Sequence, residues 1–449
     1  MFRVVIPAIL AVALTACGGG GGGGASSGND PTAPRIADYT TLASVELTNF
    51  IPSLVTADFK GNGSQYVVMS GWRNAGGVNP PVKVFKINTD GTAEDATVAV
   101  LGSEVNVSVN YPIVADFNRD GIDDIFFPGF TDGAGYSSNN ISRAFFSRPG
   151  QSHLEITVPG LAWSHAAVAT DVNNDGWTDI ISSSGNMWIN NSGTGFTYQP
   201  KLDYHYSAEP IGGSGICAGK LDNSNTTYYI VTDMMGFPGT MPIQDTWVFT
   251  IDPTTLVPTH VSTLPVPYFD RNSTTDEISH DVSCMIADLN NDGLNDVVVI
   301  SALNSAAVQS GAEPLASATQ VYLNRGGLVF EDVTDLAMVN YPRNTLSSYT
   351  PQIIDFNGDG KKDIWLQDWN LAGLPSANQI WLNNGSTVFQ QTKVNEINLI
   401  LETFKNRVGG NPGTGIMLPI KVNNKWNFIV TSSSNFRVNV GYVQLEWTF

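Results

Sequence analysis

The chain has few cysteines and few basic residues, and both shortages exclude classes of protein. Its 449 residues include three cysteines, Cys17, Cys217 and Cys284, which are too few for a disulfide framework or a C-x-x-C zinc site. Lys and Arg total 22 against 41 Asp and Glu, a formal net charge of −19. Such a chain repels phosphate backbones and anionic lipid headgroups. Nucleic acid is therefore not an expected partner, whereas divalent cations are natural ones.

Motifs of the common enzyme classes are also lacking. The sequence contains no H-E-x-x-H, G-x-S-x-G or P-loop motif, and its five histidines are spread along the chain. These motifs would supply a metal centre, a nucleophile or a phosphate cradle. The sequence therefore predicts no catalytic residues and a protein that is not an enzyme.

A long apolar run is lacking except at the N-terminus. Arg3 precedes the apolar stretch 4–14, which has the length of a signal-peptide core and is too short to span a bilayer. Leu14-Thr15-Ala16-Cys17 resembles the lipobox of bacterial lipoproteins, which implies lipidation of Cys17; a plain signal peptide is the alternative. A flexible Gly/Ser-rich tether follows. We expect a signal peptide at 1–16, an anchor and tether at 17–35, a folded domain at 36–449, and attachment to the outer membrane by lipid only, facing the periplasm or the exterior.

One nine-residue motif, D-x-N-x-D-G-x-x-D, recurs along the chain. Complete copies begin at Asp116, Asp171, Asp288 and Asp355. The gap between the second and third copies is about twice the others, which predicts a degenerate copy near residue 220. Segments 218–223, 58–63 and 421–425 provide three degenerate copies, each followed by an apolar strand. The period is therefore near sixty residues, with seven units.

Each unit has the pattern of four short strands. An apolar strand enters each loop and a β-branched strand leaves it, and hairpins follow, as at 321–330 and 380–389. Asn-Gly pairs between alternating apolar residues are a strong hairpin signal. We therefore predict an all-β, seven-bladed β-propeller of four-stranded antiparallel blades. Residues 36–48 are expected to supply the outermost strand of the last blade and so to close the ring.

The complete loops have the donor pattern of calcium sites. Positions 1, 3, 5 and 9 carry side-chain oxygens, the glycine at position 6 permits a tight turn, and a backbone carbonyl at position 7 is the expected further ligand. The alternative is that these side chains only form hydrogen-bonded turns. About four Ca²⁺ ions are expected, bound independently because the loops lie on separate blades. The predicted ligands are Asp116, Asn118, Asp120, Ile122, Asp124, Asp171, Asn173, Asp175, Trp177, Asp179, Asp288, Asn290, Asp292, Leu294, Asp296, Asp355, Asn357, Asp359, Lys361 and Asp363.

These repeats resemble the FG-GAP/VCBS family, seven-bladed propellers that include integrin α-subunit heads, certain fungal lectins and many bacterial surface proteins. The Asp-Phe-Asn and Asp-Gly-x-x-Asp segments carry the resemblance, which extends over nearly everything after residue 35. It implies Ca²⁺ in the strand-connecting loops and a role in binding or adhesion. Members also serve as accessory domains of polysaccharide-degrading enzymes, so the fold alone does not identify a ligand.

A ligand site is predicted at one mouth of the central channel. Residues just before the innermost strands combine aromatic and hydrogen-bonding groups, as a sugar site needs; local loop hydrogen bonds are the alternative. The candidates are Tyr111, Trp163, His165, His280 and Tyr349.

Two further sets of residues are assigned to the interior of the fold. The tryptophans at 177, 188, 365 and 381 are expected inside strands as blade packing. Cys217 and Cys284 are expected in innermost strands of consecutive blades, as a disulfide or as two buried thiols.

Three classes of function fit these features. The first is a calcium-stabilised cell-surface protein that binds a glycan or protein ligand, in adhesion for example. The second is an extracellular enzyme acting on polysaccharide, and the third is a structural component of a surface assembly.

Overall fold

The computed structural model describes most of the chain after residue 35. The described residues are 36–46, 50–73, 79–90, 92–130, 141–160, 165–200, 215–232, 246–266, 277–305, 317–338, 348–368, 379–385, 388–393, 396–397, 400, 417–434 and 437–445. Residues 1–35, which include the predicted signal peptide, Cys17 and the predicted tether, lie outside these ranges. Within them, no helix is long and apolar enough to cross a membrane.

The described chain is built from 28 short strands and a few short helical turns. The first strands are β1 (Ile36–Glu46), β2 (Phe50–Ala57), β3 (Gln65–Arg73), β4 (Lys83–Ile87), β5 (Ala93–Asp95), β6 (Ile113–Ala115), β7 (Asp124–Phe127), β8 (Arg143–Phe146) and β9 (Leu154–Thr157). The next are β10 (Ala167–Thr170), β11 (Asp179–Ser182), β12 (Met187–Asn190), β13 (Phe196–Gln199), β14 (Ile216–Gly219), β15 (Tyr228–Val231), β16 (Trp247–Ile251), β17 (Pro258–Thr263), β18 (Glu277–Ala287) and β19 (Asp296–Ser305).

The remaining strands are β20 (Ser317–Asn324), β21 (Phe330–Asp332), β22 (Ser348–Ile354), β23 (Asp363–Asp368), β24 (Gln379–Asn383), β25 (Phe389–Thr392), β26 (Met417–Val422), β27 (Lys425–Ser434) and β28 (Arg437–Leu445). The short helices α1 (Thr97–Leu101) and α2 (Thr334–Ala337) each follow an outermost strand.

The strands form seven four-stranded antiparallel sheets. Sheets 1 to 6 contain β2–β5, β6–β9, β10–β13, β14–β17, β18–β21 and β22–β25, each in chain order. Sheet 7 has the order β1-β28-β27-β26, so the first strand of the chain pairs with the last. The prediction of an all-β propeller with four-stranded antiparallel blades is confirmed.

The core lies between neighbouring sheets. In β7, Ile125 and Phe127 pack toward sheet 1, whereas Phe126 packs toward sheet 3. This alternation follows from the two-residue period of a strand, whose successive side chains point to opposite faces. Similar apolar clusters fill each gap around the molecule, including the gap between sheets 7 and 1. Both faces of each inner strand are therefore buried, which explains the continuous apolar runs in the sequence.

A disulfide joins two adjacent sheets. Cys217 in β14 and Cys284 in β18 are bonded, with their Cα atoms 5.8 Å apart. Both side chains are buried among the apolar residues between sheets 4 and 5. Of the two states left open by the sequence, the structure contains the disulfide.

Candidate functional site

The four complete motif loops occupy equivalent positions. They connect the innermost strand of a sheet to the second strand, over residues 116–123, 171–178, 288–295 and 355–362. Because strands alternate in direction within these sheets, the loops lie at the same end as the turns that join third and fourth strands. We call this end the loop face and the other end the mouth face.

The first three oxygen-bearing side chains of each loop make the same hydrogen bonds. The Asp at position 1 accepts the N–H of the glycine at position 6, at 2.8–3.0 Å. The Asn at position 3 accepts the N–H of position 5 at 3.0 Å. The Asp at position 5 accepts the N–H of position 7, at 2.8–3.0 Å. Four separate segments therefore adopt one loop conformation.

This conformation needs two residues of positive φ. The glycines at position 6 have φ between 80° and 88°, and position 4 has φ between 56° and 76°, in the left-handed region. Glycine enters that region without the steric penalty of a Cβ atom, and Asn enters it more readily than most residues. The glycine in the motif is thus required by the backbone.

The Asp at position 9 differs from the other three. Asp124, Asp179, Asp296 and Asp363 are fully buried. One carboxylate oxygen accepts the N–H of position 2, at 2.7–2.9 Å. The other accepts a backbone N–H at the end of the third strand, at 2.5–2.9 Å. Position 9 therefore ties the loop to the body of its sheet. Burial raises the pKa of Asp124, Asp179 and Asp296 to about 6, and raises that of Asp363.

The donor chemistry of the loops fits a hard cation. Among the described residues, no group of three or more His, Cys, Asp or Glu side chains is arranged as a metal cluster. Positions 1 and 5 nevertheless carry carboxylate oxygens and position 3 an amide oxygen, which are the ligand atoms that Ca²⁺ prefers. Each carboxylate oxygen has two lone pairs, so one N–H contact leaves acceptor capacity. The residues at position 7, Ile122, Trp177, Leu294 and Lys361, are placed by their N–H bonds to position 5.

In three loops the amide of the position-3 Asn also approaches the carboxylate of the position-5 Asp, at 2.8–3.4 Å. The first and fourth loops have a further side-chain contact to that Asp. In the first, the Ser147 hydroxyl lies 2.8 Å from both carboxylate oxygens of Asp120. In the fourth, the Lys361 ammonium lies 3.1 Å from Asp359 Oδ2. The fourth loop thus contains a cation of its own beside a predicted ligand.

The first degenerate loop keeps the bond between positions 1 and 6, whereas the other two are closed by other contacts. Asp58 Oδ2 accepts the Gly63 N–H at 2.6 Å, and Asp222 Oδ2 accepts the Tyr228 hydroxyl at 2.6 Å. The third is a two-residue turn in which Asn423 and Asn424 both have positive φ.

The predicted ligand-site residues lie at or near the innermost strands. The Asn110 amide donates to the His165 carbonyl at 2.7 Å, joining sheets 2 and 3 beside Tyr111. The His165 ring packs edge-on against Phe130, and burial lowers the pKa of His165 to about 4. The imidazole is therefore neutral at pH 7.

For the other ligand candidates, the structure describes only the backbone or does not describe the residue. His280 and Tyr349 lie within the innermost strands β18 and β22 rather than before them, and their side chains are outside the description. Tyr349 falls at a β-bulge, between the paired residues Ser348 and Thr350. Trp163 lies outside the described residues.

Three of the four tryptophans pack inside strands as predicted. Trp188, Trp365 and Trp381 are fully buried in β12, β23 and β24. The prediction was wrong for Trp177, which lies in a loop before β11, with the Arg119 guanidinium 4.4 Å from its ring centroid. The glycine before Trp177 turns the chain out of strand geometry there, so the indole contacts the neighbouring loop.

Asparagines at the ends of third strands were missed as functional residues. Asn190, Asn324 and Asn383 are buried, and each amide reaches the backbone of the preceding sheet's loop. In the sequence Asn324 and Asn383 read as turn residues beside glycine. Their recurrence at the same place in the repeat was the available signal.

Solved structures with likeness to the chain are distant. A lectin from Agrocybe aegerita that recognises non-reducing terminal N-acetylglucosamine has 16% identity and a TM-score of 0.47, over 77% of this chain and 79% of that chain. An exo-β-1,3-galactanase from Clostridium thermocellum has 9% identity and a TM-score of 0.33, over 91% and 99%. An ancestral GH74 enzyme has 11% identity and a TM-score of 0.43, over 86% and 48%. At these values none of them indicates what this chain binds.

The family comparison is more specific. No curated protein matches the chain. Residues 288–366 match the model of the FG-GAP-like repeat. They span the third and fourth complete loops and the strands around them, within a β-propeller of four-stranded blades. The chain thus contains an FG-GAP-like repeat within a β-propeller of four-stranded antiparallel blades.

Proposed function

We propose that the protein is a calcium-stabilised cell-surface propeller that binds a glycan or protein ligand at its mouth face. The observation that carries this proposal is the difference between the two faces. At the loop face no connection between strands is longer than the eight residues of 116–123. At the mouth face, consecutive described strands are separated in sequence by longer stretches, such as 128–142, 232–246 and 393–416. Binding residues concentrate on variable loops held by a rigid scaffold.

The described residues at the mouth face suit an uncharged ligand. His165 is neutral at pH 7, and Asn110 and Tyr111 add an amide and a phenol beside it. Aromatic rings and neutral hydrogen-bonding groups are what the faces and hydroxyls of a sugar require. A glycan is therefore the ligand class that we favour.

The loop face is proposed to hold the calcium. The three oxygen side chains of each complete loop would contribute to Ca²⁺ binding, and the position-7 carbonyl would be a further ligand. When bound, the ion would neutralise the charge that position 1 and position 5 bring together. Its role in this proposal is structural, because the four loops stand at the opposite end of the sheets from the proposed ligand site.

The ring and its anchor complete the proposal. We propose seven blades closed by β1, and attachment to the outer membrane through a lipid on Cys17. A Cys17→Ser variant should then leave the membrane fraction, since the lipid would be the sole anchor. Membrane retention of that variant at the parental level would contradict the anchor.

A glycan array, read in calcium and in chelator, tests the function. Discrete sugar hits that weaken in chelator are expected. Turnover of a polysaccharide in the same samples would favour an enzyme instead, and self-association without sugar hits would favour a structural component.

A further inference from the structure

The buried asparagines at the ends of three third strands hold neighbouring loops together. Asn190 ends β12, Asn324 ends β20 and Asn383 ends β24, and at most 3% of each is exposed. Each makes the same set of bonds, to its own sheet on one side and to the preceding sheet on the other.

Within its own sheet, Asn383 is bonded to the C-terminal end of the loop and to the turn that follows β24. Its N–H donates to Asp363 Oδ1 at 2.8 Å, and its amide donates to the Lys362 carbonyl at 3.1 Å. Its side-chain oxygen accepts the Gly385 N–H at 2.8 Å. The orientation of the amide is therefore fixed by the loop that would hold the fourth ion.

Toward the preceding sheet, the same amide reaches the third loop. Asn383 Nδ2 donates to the carbonyl of Leu289 at 2.6 Å. The N–H of Leu289 in turn donates to Asp296 Oδ2 at 2.9 Å. A continuous path of hydrogen bonds thus joins the position-9 carboxylate of the third loop to that of the fourth.

The first and second loops are joined in the same way. Asn190 Nδ2 donates to the Phe117 carbonyl at 2.8 Å, and the Phe117 N–H donates to Asp124 Oδ2 at 2.7 Å. Asn190 N–H donates to Asp179 Oδ1 at 2.7 Å. The Arg119–Trp177 stack adds a second contact between these two loops.

Sheet 4 separates the first two complete loops from the last two. This sheet carries the degenerate loop near Asp222, and it separates the 171–178 loop from the 288–295 loop. Asn324 reaches back to the Leu221 carbonyl at 2.6 Å, so it connects the third loop only to the degenerate one. Complete loops are therefore adjacent in two pairs, the first with the second and the third with the fourth.

We propose that the loops bind calcium as two coupled pairs, with Asn190 and Asn383 as the positioning residues that transmit the coupling. This proposal rests on the calcium sites of the proposed function, and it replaces the expectation that four separate blades bind independently. An ion that orders one loop also orders the backbone carbonyl of that loop to which the asparagine of the following sheet is bonded. Binding of the second ion then costs less conformational entropy, because that asparagine and the loop bonded to it are already partly ordered. Such coupling is reciprocal by linkage.

The test uses calcium titration calorimetry on variants of the full chain. Asp120→Ala with Asp175→Ala disables the first pair and leaves the second for measurement. In that background, the third and fourth loops should bind cooperatively. Asp292→Ala should then weaken the fourth loop about tenfold, which corresponds to a coupling of about 1.4 kcal/mol. Because Asp292 is an exposed loop residue, this step leaves the buried bonds intact.

Asn383→Ala and Asn324→Ala form the matched pair. Each removes a buried side-chain amide that makes the same three hydrogen bonds, but only Asn383 connects two complete loops. Asn383→Ala should abolish the effect of Asp292→Ala on the fourth loop, whereas Asn324→Ala should preserve it. Circular dichroism checks that each variant is folded.

The possible outcomes distinguish failure of the coupling between loops from failure of the calcium sites themselves. An unchanged affinity of the fourth loop after Asp292→Ala, in folded protein, overturns the coupling alone. A chain without substitutions that takes up no calcium overturns both the sites and the coupling.

Discussion

At the scale of the residue, the Asp at position 9 of the motif makes contacts that the sequence of the motif does not reveal. Oxygen donors at positions 1, 3, 5 and 9 read alike in sequence, and all four were predicted as ligands. In the structure the position-9 carboxylates are buried and bound by one backbone N–H of the loop and another at the end of the third strand. Burying a carboxylate is tolerated only when its oxygens are well paired. These backbone bonds could not be predicted from the sequence, because they depend on where the third strand ends.

Lys361 should reduce the affinity of the fourth loop for calcium. Its ammonium lies 3.1 Å from Asp359 Oδ2 and must give way to a metal there. Exposed ion pairs are worth less than about 1 kcal/mol, so Lys361→Ala should tighten that site by about two- to fivefold. Lys362→Ala removes the same charge from the next residue, and any gain there measures the net-charge effect alone. Calorimetry that gave equal affinities for both variants would refute the specific role of the Lys361 contact.

His165 should make stability fall as the solution is acidified. Burial holds its pKa at about 4 in the folded protein, against about 6.5 in an unfolded chain. The unfolded state therefore takes up a proton first as the pH falls through 6.5. This contribution amounts to about 1–2 kcal/mol between pH 7 and pH 5.

The comparison with His165→Gln isolates this contribution from that of the position-9 carboxylates, whose raised pKa values act in the opposite direction. Urea unfolding is measured at pH 7 and pH 5. On acidification, the free energy of unfolding of the variant should fall less, or rise more, than that of the parent. Parallel pH profiles for parent and variant would contradict the buried neutral imidazole.

At the scale of the element, the repeated pattern in sequence was sufficient to predict strands and loops. Val297–Ile300 reads as a buried strand and is one, within β19. The contacts between sheets could not be predicted in the same way. Asn383 donates to Leu289, 94 residues earlier, and no local pattern indicates which carbonyl of which sheet an amide will meet.

The disulfide between β14 and β18 should stabilise the pairing of sheets 4 and 5. It links residues 67 apart in sequence, and bonds of this kind contribute about 2–4 kcal/mol. Cys217→Ala with Cys284→Ala should lower the free energy of unfolding by about that amount in urea. Reductant should destabilise the parent and leave the double variant unchanged. A parent insensitive to reductant under partly denaturing conditions would argue against a stabilising bond.

At the scale of the whole molecule, the pairing of the chain's two ends should control global stability. β1 pairs with β28 along its length, and it is the outermost strand of sheet 7. Removing residues 36–46 would leave an unpaired strand edge. The truncated protein should melt at a lower temperature and aggregate more readily. Deletion of 25–35, in the tether, controls for chain length. Equal melting temperatures for the parent and the strand deletion would rule out a stabilising closure.

Calcium binding should also affect the stability of the whole molecule, because the chain has a large negative net charge. At an effective dielectric near 20, two carboxylates about 4 Å apart repel by about 4 kcal/mol before relaxation. Four Ca²⁺ ions would offset eight of the negative charges in a chain of net charge −19. Metal that binds the folded state and hardly the unfolded one should raise stability by RT ln(1 + [L]/Kd) at each site.

The most direct test is the melting temperature of the full protein as a function of free calcium, from excess chelator to millimolar calcium. The account predicts a continuous rise with calcium, with about 2.7 kcal/mol gained per site at a hundred times its Kd, and a smaller rise with equal magnesium. A melting temperature that is the same in chelator and in calcium would show that the four loops are hydrogen-bonded turns only, and would contradict the account.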